Sequence, residues 1–380
     1  MQEVKGIAQE IVNRLVERSN QLGEGRSVGA IAFVDDNGYV SSYNKIINGG
    51  LSGLPYRILL SEVSRTKYCS LLEMINQLPE NAVIISTDPG ETGIIVNTGG
   101  INIFNLPVIK IGVKNGSAVG VGILYPEKKN FNLASKSEKA QLDSLAALSM
   151  EAEREALKTS TEIRLKYLHI SGELPIISLD KKNYKKKHNN PETNWEITRI
   201  NVKSIDEKFA QKLVDKSINI EQGREVAAFG EIKENGQVEQ ASEIVVGGMG
   251  YIPPRLLASS YSNIRDISLR KAYTDVIPEN TAIVHTHPGG TGVMHMSDAM
   301  AGPGMWGRPI MAIGHNKKGV IKGVSVIELN DRLCELADEN ENLEQRFFEV
   351  ETPEEELKIR KRRYKIAQEF TDLCKQVQLN

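Results

Sequence analysis

"TAIVHTHPGGTGVMHMSDAM", residues 281–300, gathers three of the chain's six histidines (His285, His287 and His295) with Asp298. The apolar run TAIV is a strand candidate. Residues two apart on a strand point to the same side, so His285 and His287 can bring both imidazoles to one point. Pro288 follows, and glycines at 289, 290 and 292 let the chain turn back sharply. Asp298 opens SDAMAGPG, a short-helix candidate from which a carboxylate can swing towards the histidines. Two imidazoles and a carboxylate are donors of borderline hardness that suit Zn2+. Three protein ligands also leave a fourth tetrahedral position open, as catalytic zinc sites do. An H-x-H pair alone is more often a packed or surface pair. The proline after it and the aspartate eleven positions on tip the balance towards a metal.

Outward from this stretch, IDEKFAQKLVDKSI (205–218) has the spacing of a helix. GREVAAFGEIKENGQVEQASEIVVGG (223–248) divides into strands about an Asn235-Gly236 turn, and RPIMAIGHNKKGVIKGVSVIE (308–328) gives two more strands. His315 falls beside the second turn and reads as a hairpin residue. Towards the N-terminus, residues 4–22 space their apolar positions as one amphipathic helix. SVGAIAFVDDNGYVSSY (27–43) and LPVIKIGVKNGSAVGVGILYP (106–126) are hairpins about Asn37-Gly38 and Asn115-Gly116. A helix is expected over 61–78 and a buried strand over 82–87. The glycines of INGGLSG and DPGETGIIVNTGG match neither a P-loop nor a dinucleotide fingerprint, and read as turns.

Residues 134–166 lack Gly and Pro and predict one long helix. The basic run at 180–195 reads as a solvated loop. Thr352-Pro353-Glu354 starts a last helix whose stripe of Ile359, Ile366, Phe370, Leu373 and Val377 suits the protein's own core or a partner helix equally. The expected fold class is α/β (α+β). It comprises an N-terminal α/β domain with a mainly antiparallel sheet (1–130), a helical connector and basic loop (131–202), a metal domain of mixed sheet with flanking helices (203–335) and a helical tail (336–380).

The charge balance, 47 basic against 49 acidic residues, excludes a global basic field and argues against nucleic acid as a partner. Three scattered cysteines without CxxC spacing speak against a disulfide framework and a thiolate zinc site. The N-terminus lacks a signal-like apolar run, and no segment suggests a membrane span; a cytoplasmic location is expected.

The order H-T-H-P with Asp298 resembles the JAMM (MPN+) zinc metalloprotease motif, H-x-H-P-x(6)-S-x-x-D, and the resemblance covers residues 203–330. It implies Zn2+ held by His285, His287 and Asp298, with an upstream glutamate as general acid and base. Glu225 fits that place, followed by small Ala228 and Gly230; Glu221 is the weaker choice. It also implies hydrolysis of a peptide or isopeptide bond, in some relatives at the C-terminus of a ubiquitin-like or sulfur-carrier protein. The departure is His295, which stands where the family has serine. Its ring can supply the oxyanion hydrogen bond, become a fourth zinc ligand, or face solvent. Rival readings are an inactive MPN-type scaffold, with homo-oligomer or partner contacts through the C-terminal helix, and a metal-containing regulator that responds to a small molecule.

Overall fold

The computed structural model of the chain describes residues 3–51, 53–64, 68–96, 98–178 and 200–380. The expected first helix is preceded by a short strand, β1 (Gly6–Ala8), and runs as α1 (Gln9–Leu22). Its Ile11, Val12, Leu15, Val16 and Ser19 are buried. Each large apolar side chain so buried stabilises the fold by roughly 1.5–3 kcal/mol. The Asn37-Gly38 turn joins β2 (Val28–Val34) to β3 (Tyr39–Tyr43), and β4 (Ile47–Asn48) pairs back onto β2.

The helix expected over 61–78 is corrected to a shorter one: α2 (Tyr56–Ser61) ends where that span begins, and α3 (Leu71–Asn76) lies within it. The reason is a reciprocal cap. Ser70 Oγ accepts the Glu73 N–H, and the Glu73 carboxylate accepts the Ser70 N–H at 2.6 Å, so α3 starts only there. Then come β5 (Ala82–Pro89), α4 (Gly99–Phe104), β6 (Val108–Lys114) and β7 (Ser117–Leu124).

The single helix expected over 134–166 is also two, α5 (Lys128–Leu145) and α6 (Met150–Tyr167). Ser149 Oγ accepts the Ala152 N–H and restarts the helix, and the pair folds back as a hairpin over Ala140, Ile163 and Tyr167. Strands β8 (Gly172–Glu173) and β9 (Ile176–Ile177) follow, one at each end of the strand order of the first sheet. The basic run at 180–195 lies outside the described residues.

The second half opens with β10 (Ser204–Ile205) and α7 (Glu207–Ile218), which buries Phe209, Ala210, Leu213, Val214 and Ser217. It continues through β11 (Val226–Ile232), β12 (Gln237–Gln240), β13 (Val245–Val246), α8 (Pro254–Tyr261) and α9 (Leu269–Lys271). Next are β14 (Thr281–Pro288), α10 (Met296–Ala299), β15 (Ile310–His315) and β16 (Ile321–Ile327). A helix pair, α11 (Asp331–Phe347) and α12 (Pro353–Asp372), precedes β17 (Lys375–Gln376) and β18 (Gln378–Leu379).

These are two mixed sheets with one topology. The first has the order β8-β7-β6-β5-β2-β3-β1-β9 with β4 on β2; the second has β17-β16-β15-β14-β11-β12-β10-β18 with β13 on β11. Antiparallel pairings outnumber parallel ones, but β1 with β3 and β5 with β6 are parallel in the first sheet, as are β10 with β12 and β14 with β15 in the second. Registers repeat too: Gly29 pairs with Ser86 where Ala227 pairs with His285. So do buried hydrogen bonds. The Val28 N–H donates to Thr87 Oγ1 (2.9 Å), and the Val226 N–H donates to Thr286 Oγ1 (3.1 Å). Ser19 and Ser217 donate to the carbonyls of Arg26 and Arg224.

Sheet pairing thus draws in residues 172–177 and 375–379. The sequence had assigned these to a connector and a tail, and the boundaries expected at 130 and 335 fall within the first turns of α5 and α11, ahead of strands that return to the same sheet.

The two halves interlock through those helix pairs. Glu341 of α11 accepts the N–H groups of Arg57 and Ile58 at the start of α2, while Glu138 of α5 accepts the Arg255 N–H in the first turn of α8. Arg57 and Arg255 are both buried. The Arg57 side chain reaches Asp338 and the Cys69 carbonyl; Arg255 reaches Asn102, Ser135 and the carbonyls of Ile264, Arg265 and Ile267. Ile359, Ile366 and Phe370 of α12 join a core that includes Leu72 of the first half and abuts Ile103, so that stripe faces the protein's own interior. Val377 lies beyond the helix, between the last two strands. No helix among the described residues is long and apolar enough to cross a membrane.

Candidate metal centre

β14 is central in the second sheet, between antiparallel β11 and parallel β15, and His285 and His287 share one of its faces. Their Nε2 atoms are 2.9 Å apart. Asp298 Oδ1 lies 3.4 Å from His285 Nε2 and 3.9 Å from His287 Nε2. His285 is buried; His287 and Asp298 are half-buried.

Asp298 arrives through a tight return of the chain. Gly292 has φ +86°, and a Cβ there would meet the Ala312 and Gly323 carbonyl oxygens at 2.9 and 2.8 Å. Only glycine lets this loop lie flat on β15 and β16. The chain then enters α10, where Asp298 stands in the first turn and its Oδ2 accepts the His295 N–H at 2.8 Å. That bond aims Oδ1 at the two rings. It also places the negative charge at a helix N-terminus, where it is favoured.

The electrostatics match the geometry. Burial opposes charge on Asp298, yet the facing rings of His285 and His287 and the His295 N–H outweigh it and hold the carboxyl far below the usual range. Burial likewise opposes the charged His287 ring, but the nearby Asp298 carboxylate and the charge of Glu225 raise its pKa. Glu225 sits two residues before Ala227, the register partner of His285, and therefore on the same face opposite the line of His287. Its main chain is pinned by the Gly247 N–H and the Gly248 carbonyl. Burial pushes its carboxyl up, against the pull of His285 and His287.

One atom from each of His285, His287 and Asp298 fits within 4.8 Å of the others, and the group can hold a metal ion. The donor chemistry fits zinc. Two nitrogens ~2.0–2.1 Å from one tetrahedral zinc stand about 3.3 Å apart, close to the 2.9 Å seen here. Nδ1 of His285 is buried without a hydrogen-bond partner, so its inward Nε2 is the engaged nitrogen.

His295 is exposed and is not part of this ligand group among the described residues; it contributes its main-chain N–H to Asp298. His315 is buried at the end of β15, where its ring meets Ser217 Oγ (3.1 Å) and ties β15 to α7. It is a packed residue of the fold and no member of the ligand group. None of the three cysteines is in a disulfide among the described residues.

A pocket of about 460 Å3 adjoins the ligands and is lined by Glu225, His285, Ser297 and Asp298. Its far wall, Gly99, Asn102, Ile103 and Glu138, comes from the first half. Sequence reading missed this wall. The signal that leads to it is the internal match of PENAVIISTDPGETG (79–93) with PENTAIVHTHPGGTG (278–292). Comparison of the chain with protein-family models, curated proteins and solved structures finds no match.

Proposed function

We propose that the protein is a zinc-dependent hydrolase of JAMM type that cleaves a peptide or isopeptide bond, with the C-terminus of a ubiquitin-like or sulfur-carrier protein as one substrate class. The observation that carries this reading is the convergence of His285, His287 and Asp298 beside a carboxylate, Glu225, at the mouth of a pocket. Bound at the three ligands, zinc supplies Lewis acidity, lowering the pKa of water into the neutral range and polarising a carbonyl.

The chain's own groups do the rest. Glu225 is half-buried, and its raised pKa brings it nearer the neutral range, where a carboxylate can both take a proton from water and return it to the leaving amine. Asp298, oriented by the His295 N–H, fixes the negative side of the site. The apolar pocket wall excludes water and strengthens these interactions. A developing oxyanion needs a donor near the ligands. Ser297 lines the pocket and takes that role first; the exposed ring of His295 is the second candidate.

Elemental analysis of the purified, zinc-reconstituted chain tests the reading. About one zinc per chain, lost in His287→Ala and retained in His295→Ala, is the expected result. A chain that takes up no zinc overturns it and leaves an inactive scaffold.

A further inference from the structure

The pocket beside the ligand group is wide and mostly apolar. Ile252, Leu257, Met305 and Trp306 give it apolar walls, and Ile103 of α4 closes it from the first half. Ile103 packs against the cores of both halves, so this wall is held rigidly in place. The pocket's volume, about 460 Å3, lies within the range of sites that enclose small ligands. Glycine brings no side chain to fill it.

The one carboxyl on the first-half wall, Glu138, already accepts the Arg255 N–H at 2.9 Å, and burial pushes its pKa up to about 7. It is therefore a poor counter-ion for a charged side chain. The first half is packed differently beside its own β5. Leu54, the counterpart of Ile252, packs where a Cβ on Gly29 would stand, opposite Ser86 in register, and the Tyr56 ring meets Phe104 at 4.7 Å.

We infer that the pocket is a specificity subsite for a large uncharged apolar side chain, aliphatic or aromatic, on the residue flanking the cleaved bond, and that the first half determines this preference through Ile103. The inference rests on the hydrolase reading and narrows it: a substrate ending in consecutive glycines would leave the subsite empty.

The test uses the zinc-reconstituted full chain and the fluorescence of Trp306, titrated with N-acetyl-phenylalaninamide, N-acetyl-leucinamide and N-acetylglycinamide. The phenylalanine and leucine probes should bind on the order of 10- to 100-fold more tightly than the glycine probe. Ile103→Phe should cut that ratio by about tenfold, while Ile103→Ala, which enlarges the space, should retain binding of the phenylalanine probe. Equal binding of all three probes, or a ratio unmoved by Ile103→Phe, overturns the subsite. Peptides differing only in a flanking Gly, Leu or Phe then separate the two ideas. Apolar preference in binding without cleavage of any peptide overturns the hydrolase reading and leaves the subsite standing. Cleavage with glycine preferred overturns the subsite and leaves the hydrolase reading standing.

Discussion

At the end of β14 stand His285 and His287; at the end of β5, in the same register of the first sheet, stand Ser86 and Asp88. Glu225 has Ser27 as its counterpart, and Asp298 has Gly99. Everything that shapes the backbone is shared. Thr87 and Thr286 accept the same main-chain N–H, and Gly93 and Gly292 turn the same loop at φ +88° and +86°. Gly112 and Gly314 lie under that loop, and a Cβ on either would run into its backbone.

The first half thus serves as an internal control: this strand, turn and helix form without two imidazoles and a carboxylate. Burying those groups is not free, since His285 Nδ1 is left without a partner. These donors, which the matching strand of the first half lacks, stand close enough together to hold one ion.

The largest expected effect breaks the comparison outright. His287→Ala should take zinc from about one per chain to background, whereas Asp88→Ala, at the matching place in the first half, should leave the metal content unchanged by elemental analysis. Equal loss in both would mean that the halves share one site. Next, Glu225→Gln should retain zinc and lower kcat by ~10²–10⁴-fold in a peptide-cleavage assay, while Ser27→Ala should alter neither.

A stability contrast follows from the interlock. Arg255→Ala strips side-chain hydrogen bonds from buried Asn102, from Ser135 and from the Ile264 and Ile267 carbonyls, and should cost about 3–5 kcal/mol by urea unfolding. Arg57→Ala should cost less, because its partner Asp338 is 48% exposed and screened by solvent.

The smallest effect is on pH dependence. Burial raises Glu138 to about 7 and Glu341 to about 6, above the ordinary 4.5 that each has when unfolded. The folded state therefore holds these protons more tightly. Below about pH 4.5 neither group affects stability. As pH rises from there through the folded pKa, each group costs stability, on the order of 1–3 kcal/mol for Glu138. Urea midpoints should fall between pH 5 and 7, and Glu138→Gln should flatten most of that fall. Glu341→Gln should flatten only the part below about pH 6.

Much of the local structure was legible. The Asn-Gly pairs at 37–38, 115–116 and 235–236 set hairpins where expected, because short turns need the positive φ that these residues tolerate. The helix start at Pro353 was also readable, since Thr352 Oγ1 accepts the Glu355 N–H. The errors came where a cap overrode propensity, at Ser70 and Ser149. The His285, His287 and Asp298 cluster could be read because a strand's period of two and one short loop bring it together within fourteen residues.

By itself the sequence determined the meeting of His285, His287 and Asp298, the strand that carries the histidines and the hairpins around it, since each depends on neighbours close along the chain. Only the tertiary structure decided that the chain repeats one topology, that each helix pair caps a helix of the other half, and that Ile103 and Glu138 wall a pocket belonging to His285 and Asp298. Those contacts join residues more than a hundred positions apart. They depend on how two sheets, each with one face already covered by α1 or α7, bury their remaining apolar faces, and no local pattern encodes that packing.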